Sequence, residues 1–131
     1  MDKDKAHLYN TMSLAYLGDA VFELAIRERI IKNTPHSACI AHQKTIKYVS
    51  AEGQSKAARK MISEDFLTDE EKALLKRARN HKTVSKPANV DMRDYKVATG
   101  LEALCAYLYL IGDKKRIEDI ADEAMRIIDE Q

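Results

Sequence analysis

The 131 residues are the length of one domain, 1–131, and 45% hydrophobic content is too high for a disordered tail. Four Gly and two Pro supply few turn residues, which argues against a many-stranded β fold. With 22 Lys+Arg against 21 Asp+Glu the formal net charge is +1, so bulk charge carries no nucleic-acid signal. Any anion-binding surface has to be found by position.

The start, Met1-Asp2-Lys3-Asp4-Lys5, is charged and leads into no apolar h-region, unlike a signal peptide. The longest apolar run, 103–111, is nine residues, too short to span a bilayer. Cys39 and Cys105 form no CxxC pair and read as reduced thiols of a cytoplasmic protein with no membrane partner. Cys105, inside the apolar run, is expected in the core.

The pattern is helical from end to end. Over 10–31, Leu14, Leu17, Val21 and Leu24 recur at steps of 3, 4 and 3, one stripe of a helix. Asn33-Thr34-Pro35 stops it, with Thr34 able to cap and Pro35 able to open the next helix. Residues 36–48 form a polar, basic helix. A third, over 51–63, follows Ser50 as N-cap. Thr68 and Glu71, three residues apart and ahead of Leu74-Leu75, are a capping box that starts a helix running to Arg79. Residues 80–93 have no helical period and read as a loop. Over 94–111 the stripe Val97, Leu101, Leu104, Leu108 returns. Gly112-Asp113 breaks it, and 114–129 is an amphipathic helix through Ile117, Ile120, Ala121, Ala124 and Ile128. The fold class is all-α, a helical bundle.

Sorted by position, the charge is uneven. Residues 72–90 hold six Lys/Arg and no acid: Lys72, Lys76, Arg77, Arg79, Lys82 and Lys86. Residues 32–60 hold six and one acid, Glu52, whereas 113–131 holds four against seven acids. A basic middle is offset by an acidic end. Lys72, Lys76 and Arg79 share a helix face that runs into a basic loop, an arrangement able to neutralise phosphates or simply a solvated surface.

Two acids stand out. Asp19 is the only formal charge between Ala6 and Phe22, and it follows Gly18, a residue that costs about 1 kcal/mol relative to Ala inside a helix. A carboxylate buried among Leu, Ala and Val costs several more unless paired or metal-bound. Glu102 is the only charge between Val97 and Gly112, on a face with Tyr95, Thr99, Ala106 and Tyr109. If the two helices cross there, the pair can hold one hard cation such as Mg²⁺; otherwise each pairs with a Lys or Arg. His36, Cys39 and His42 are spaced three apart, but one helix offers no fourth ligand for a structural zinc ion.

Leu17-Gly18-Asp19-Ala20-Val21-Phe22-Glu23-Leu24 resembles the ribonuclease III signature helix, and Glu102-Ala103-Leu104 with Tyr109-Leu110 resembles that family's second acidic helix. The two stand in the family's order and at about its separation. No sequence remains for a double-stranded RNA-binding domain. That, with Lys76-Arg77-Ala78-Arg79-Asn80 and Tyr95-Lys96-Val97-Ala98-Thr99, is most similar to the short Mini-ribonuclease III branch.

The resemblance implies a ribonuclease III-type catalytic domain: a homodimeric endoribonuclease that cuts double-stranded RNA with Mg²⁺, Mn²⁺ being a substitute. For the short branch the implied substrate is precursor 23S ribosomal RNA, with a ribosomal protein as a further partner. Asp19 and Glu102 match the family's catalytic, metal-binding acids. The family's glutamate four residues before the aspartate is Ala15 here, and its aspartate three residues before the glutamate is Thr99. One Mg²⁺ per site is therefore expected, with Thr99 supplying a hydroxyl or orienting a water. Glu23 is either a neighbour of the site or the partner of Arg27. Lys72, Lys76, Arg77, Arg79, Asn80, Lys82 and Lys86 are the expected RNA contacts, in a loop where Thr83, Ser85 and Pro87 suggest ordering on RNA. The alternative is a non-cleaving module of the same fold that binds structured RNA or the ribosome, favoured by the two missing acids.

Overall fold

The computed structural model describes residues 1–33, 37–82 and 85–130, and among them are seven helices and no strand. They are α1 (Lys3–His7), α2 (Thr11–Asn33), α3 (Ala38–Val49), α4 (Ala51–Ser63), α5 (Asp69–Arg79), α6 (Met92–Leu110) and α7 (Lys114–Asp129). The expected roles of Thr34, Pro35, His36 and Thr83 fall outside the described residues.

Local chemistry accounts for the helix ends. Ser50 Oγ accepts the Gly53 amide at 3.1 Å and starts α4. Thr68 and Glu71 form both halves of the capping box, at 3.1 and 2.9 Å, and start α5. The α6 helix begins at Met92, two residues earlier than its apolar stripe suggests. The Asp91 carboxylate accepts the amides of Arg93 and Asp94 and fixes the first turn there. Gly112, at φ 81°, ends α6 in the left-handed region that glycine enters without steric cost. Helix α1, which the apolar pattern does not announce, is capped by Asp2 and anchored by buried Ala6 and by the His7 ring against Tyr107, 4.5 Å between centroids.

The centre of the bundle is α6, with α2, α4 and α5 packed around it and α7 packed chiefly on α4. From Val97 to Leu108 every residue is buried except Glu102. Such a helix is apolar all round because neighbours cover it on every side. Cys105 is fully buried, as expected.

The stripe of α2 is not the one its leucines suggest. Its buried face is Leu14, Ala15, Gly18, Phe22, Ala25, Ile26 and Ile30, whereas Leu24 is 67% exposed and Leu17 and Val21 are half-buried. The buried face mixes the small residues Ala15, Gly18 and Ala25 with the large Leu14, Phe22, Ile26 and Ile30, and at Gly18 the α2 backbone meets that of α6. A partly buried ion pair ties α5 to α7: the Arg116 guanidinium grips Glu71 at 2.7 and 2.8 Å and donates to the Phe66 carbonyl at 2.8 Å.

Candidate active site

Gly18 is the reason the two acids meet. A Cβ at this position would lie 1.6 Å from the Glu102 carbonyl oxygen, so the α2 and α6 backbones touch at this point. The next residue along α2, Asp19, therefore comes within hydrogen-bonding reach of the Glu102 side chain. Asp19 lies on the exposed side of α2, not among Leu, Ala and Val as its sequence neighbours suggest. One residue past the crossing, the helix surface already faces outward. Its carboxylate is thus accessible, and only Glu102 carries a burial cost.

Burial, then the hydrogen bond and repulsion from the Asp19 carboxylate, push the Glu102 carboxyl up to about 8. A hydrogen bond from Gln54 acts in the opposite direction. Gln54, in the second turn of α4, is 2% exposed; its amide Nε2 donates to the Val49 carbonyl at 3.0 Å and reaches Glu102 Oε2 at 3.5 Å. Among the described residues its Oε1 is buried without a partner, as is Ser55 Oγ. No charge, motif or helical stripe marks Gln54 in the sequence; it joins the site only because α4 packs on α6.

Thr99 is buried, one turn before Glu102, and its hydroxyl donates to the Tyr95 carbonyl at 2.8 Å. The hydroxyl proton is therefore committed to the helix, leaving the oxygen able only to accept. Glu23 is ion-paired to Arg27 at 2.5 Å, one turn along α2 from Asp19. Among the described residues no group of three or more His, Cys, Asp or Glu is placed to hold a metal ion. Cys39 and His42 are exposed. What the crossing offers a cation is two hard carboxylates, the donor set with which Mg²⁺ is content when waters and substrate phosphates complete its shell.

The basic surface is less uniform than its spacing suggests. Lys72 is half-buried and ion-paired to Asp65 at 2.5 Å, so it does not extend a free face with Lys76. Lys76, Arg77, Lys82, Lys86 and Asn80 are exposed. Arg79 turns toward α4 and α6 and shares a cavity with Arg59, Arg93 and Lys96, three cations that no single stretch of sequence groups together.

Residues 12–113 match the family model described as the ribonuclease III domain. A Mini-ribonuclease 3 of Thermoanaerobacter sp. is 38% identical over 117 residues, covering 89% of this chain and 81% of that protein. A Mini-ribonuclease 3 of Staphylococcus aureus is 34% identical over 124 residues, 95% of this chain and 92% of that protein. The fold also matches a crystal structure of a Fusobacterium nucleatum protein, with TM-score 0.78 and 30% identity over 91% of this chain and 94% of that one. The chain belongs to the ribonuclease III family, a class of endoribonucleases. Among the described residues no helix is long and apolar enough to cross a membrane.

Proposed function

We propose that the chain is a single-domain, Mg²⁺-dependent endoribonuclease acting on double-stranded RNA. It works in the cytoplasm as a homodimer, with Mn²⁺ as a substitute ion. Its substrate is precursor 23S ribosomal RNA, whose base-paired ends it trims, with a ribosomal protein able to assist. The observation that carries this reading is the meeting of Asp19 and Glu102 at the Gly18 crossing.

In this reading Asp19 and Glu102 hold the cation, which when bound supplies the positive charge that a scissile phosphate and an attacking water require. Asp19 presents its carboxylate at the surface, where RNA can reach it. Glu102, the more buried of the two, would hold the cation from the α6 side, and a bound cation would offset the repulsion between the two carboxylates. Gln54 restrains the Glu102 carboxylate. Thr99 accepts a hydrogen bond from a water without competing for the ion. Lys76, Arg77, Arg79, Asn80, Lys82 and Lys86 meet phosphates and 2′-hydroxyls, the features by which duplex RNA is read, and Lys72 is a weaker contact. The homodimer is supported by one side of α2, where Tyr16 is 87% and Leu24 67% exposed, and where Val21, Leu24 and Tyr109 border an open apolar cavity.

The test is incubation with long duplex RNA in Mg²⁺ and in EDTA. Fragments form only with Mg²⁺, and Asp19→Asn abolishes them while keeping the helical circular dichroism and the dimer. Cleavage by Asp19→Asn at the wild-type rate overturns the site. A mobility shift with no cleavage by the unaltered protein replaces the nuclease with the RNA-binding module.

A further inference from the structure

A second site lies at the far end of the α4/α6 seam. The two helices run antiparallel, with Gln54 against Glu102 at one end and Arg59 against Asp94 at the other. Eight residues of α6 separate those ends, about 12 Å at the rise of an α-helix. At the second end, Arg59 of α4, Arg79 and Asn80 at the close of α5, and Arg93 and Lys96 of α6 border a cavity of about 290 Å³ over Leu75 and Val97.

Four cations converging from three helices repel one another. The acids beside them are Asp94, 3.4 Å from Arg59, and Asp91, 3.7 Å from Arg93. Both are long pairs with at least one well-exposed partner, of the kind worth little. Arg79 Nε donates to Asn80 Oδ1 at 3.2 Å, and among the described residues neither Arg79 nor Lys96 pairs with a carboxylate. The cavity therefore keeps two more positive than negative groups around an apolar floor. Guanidinium forks match phosphate oxygens, an apolar floor accommodates a sugar, and Asn80 can donate to or accept from a hydroxyl.

We propose that this cavity seats the sugar-phosphate backbone of one RNA strand, a short RNA segment away from the carboxylates. It thereby sets where along the duplex the carboxylate pair falls. The proposal deepens the nuclease reading and takes its substrate class from it, but it is tested by binding alone. Fluorescence anisotropy with a short duplex RNA in EDTA measures affinity against salt when no cleavage occurs.

Arg59→Gln combined with Arg93→Gln weakens binding at least about tenfold and flattens the salt slope by about 1 to 2, while Lys115→Gln changes neither. Arg59→Lys with Arg93→Lys keeps the charge, the fold and most of the slope. Lys96→Gln, a single change at a half-buried surface position, gives a smaller loss in the same direction should the double variant not fold. Wild-type affinity and slope in the Gln variants overturn the proposal. So does protection of the native protein by inorganic phosphate, at matched ionic strength, together with unaltered RNA binding by those variants; the cavity is then a small-anion site. Loss of binding in a protein that never cuts RNA sinks the nuclease reading and leaves the cavity assignment standing.

Discussion

Gly18 and Glu102 show how one missing side chain brings two acids together. Replacing Gly18 by Ala raises helix propensity by about 1 kcal/mol, but the new methyl overlaps the Glu102 carbonyl and forces α2 away from α6. Overpacking of that kind typically costs about 1–3 kcal/mol. The expected outcome for Gly18→Ala is a lower urea midpoint, with cleavage reduced more than stability because Asp19 moves with its helix. A midpoint at or above that of the native protein contradicts the crossing. Gly18 and Asp19 stand side by side in the sequence as two unfavourable choices, and the structure gives each a different cause. Gly18 is required by packing. Asp19 is exposed and carries no burial cost, because helical geometry turns it outward from the contact.

Among the elements, α5 and α7 depend on a charge pair that the helical pattern does not reveal. Glu71 is 6% exposed. Burial pushes its carboxyl up, but the hydrogen bonds from Arg116 and the Thr68 backbone, with the Arg116 charge, outweigh burial and hold it below the usual 4.5. A depressed acid contributes stability that is fully present above about 4.5 and is lost as pH falls through its lower folded value. Thermal melts of Glu71→Gln are therefore expected to show a lower Tm than the native protein at neutral pH, with the difference shrinking below pH about 4.5. An equal deficit at all pH values shows that packing, not the ion pair, ties the helices. The capping role of Glu71 was legible in the sequence, because the partners of a cap are three residues apart. Its bond to Arg116, 45 residues away, was not.

Over the whole molecule, the near-zero charge is spread unevenly. Lys47 pairs with Asp129 and Arg29 with Asp122, so the acidic end answers cations of α2 and α3, while its own Arg126 pairs with Glu123, Glu130 and with Glu64 at the close of α4. Among the described residues Lys76, Arg77, Arg79 and Lys96 have no such partner, and the positive surface lies along α5 and the start of α6. Tyr16, Leu24 and Tyr109 are among the large apolar side chains left exposed. If the proposed homodimer forms through this side of α2, Leu24→Arg is expected to give a monomer in sedimentation velocity, with native helicity and loss of cleavage. A dimer unaffected by this change places the two-fold interface elsewhere.

The sequence by itself determined the helices, most of their ends, the core stripe of α6 and the two acids. Each of these rests on short-range chemistry: a 3.6-residue period, a cap within three residues, a lone charge in an apolar run. The tertiary structure decided which helix faces touch. It turned Leu24 outward and Asp19 to the surface, brought Gln54 beneath Glu102, took Lys72 out of the basic face, and gathered Arg59, Arg79, Arg93 and Lys96 around one cavity. Those placements follow from how closely two backbones can approach and from which chain segments meet there. Both depend on residues tens of positions apart, beyond the reach of any local pattern.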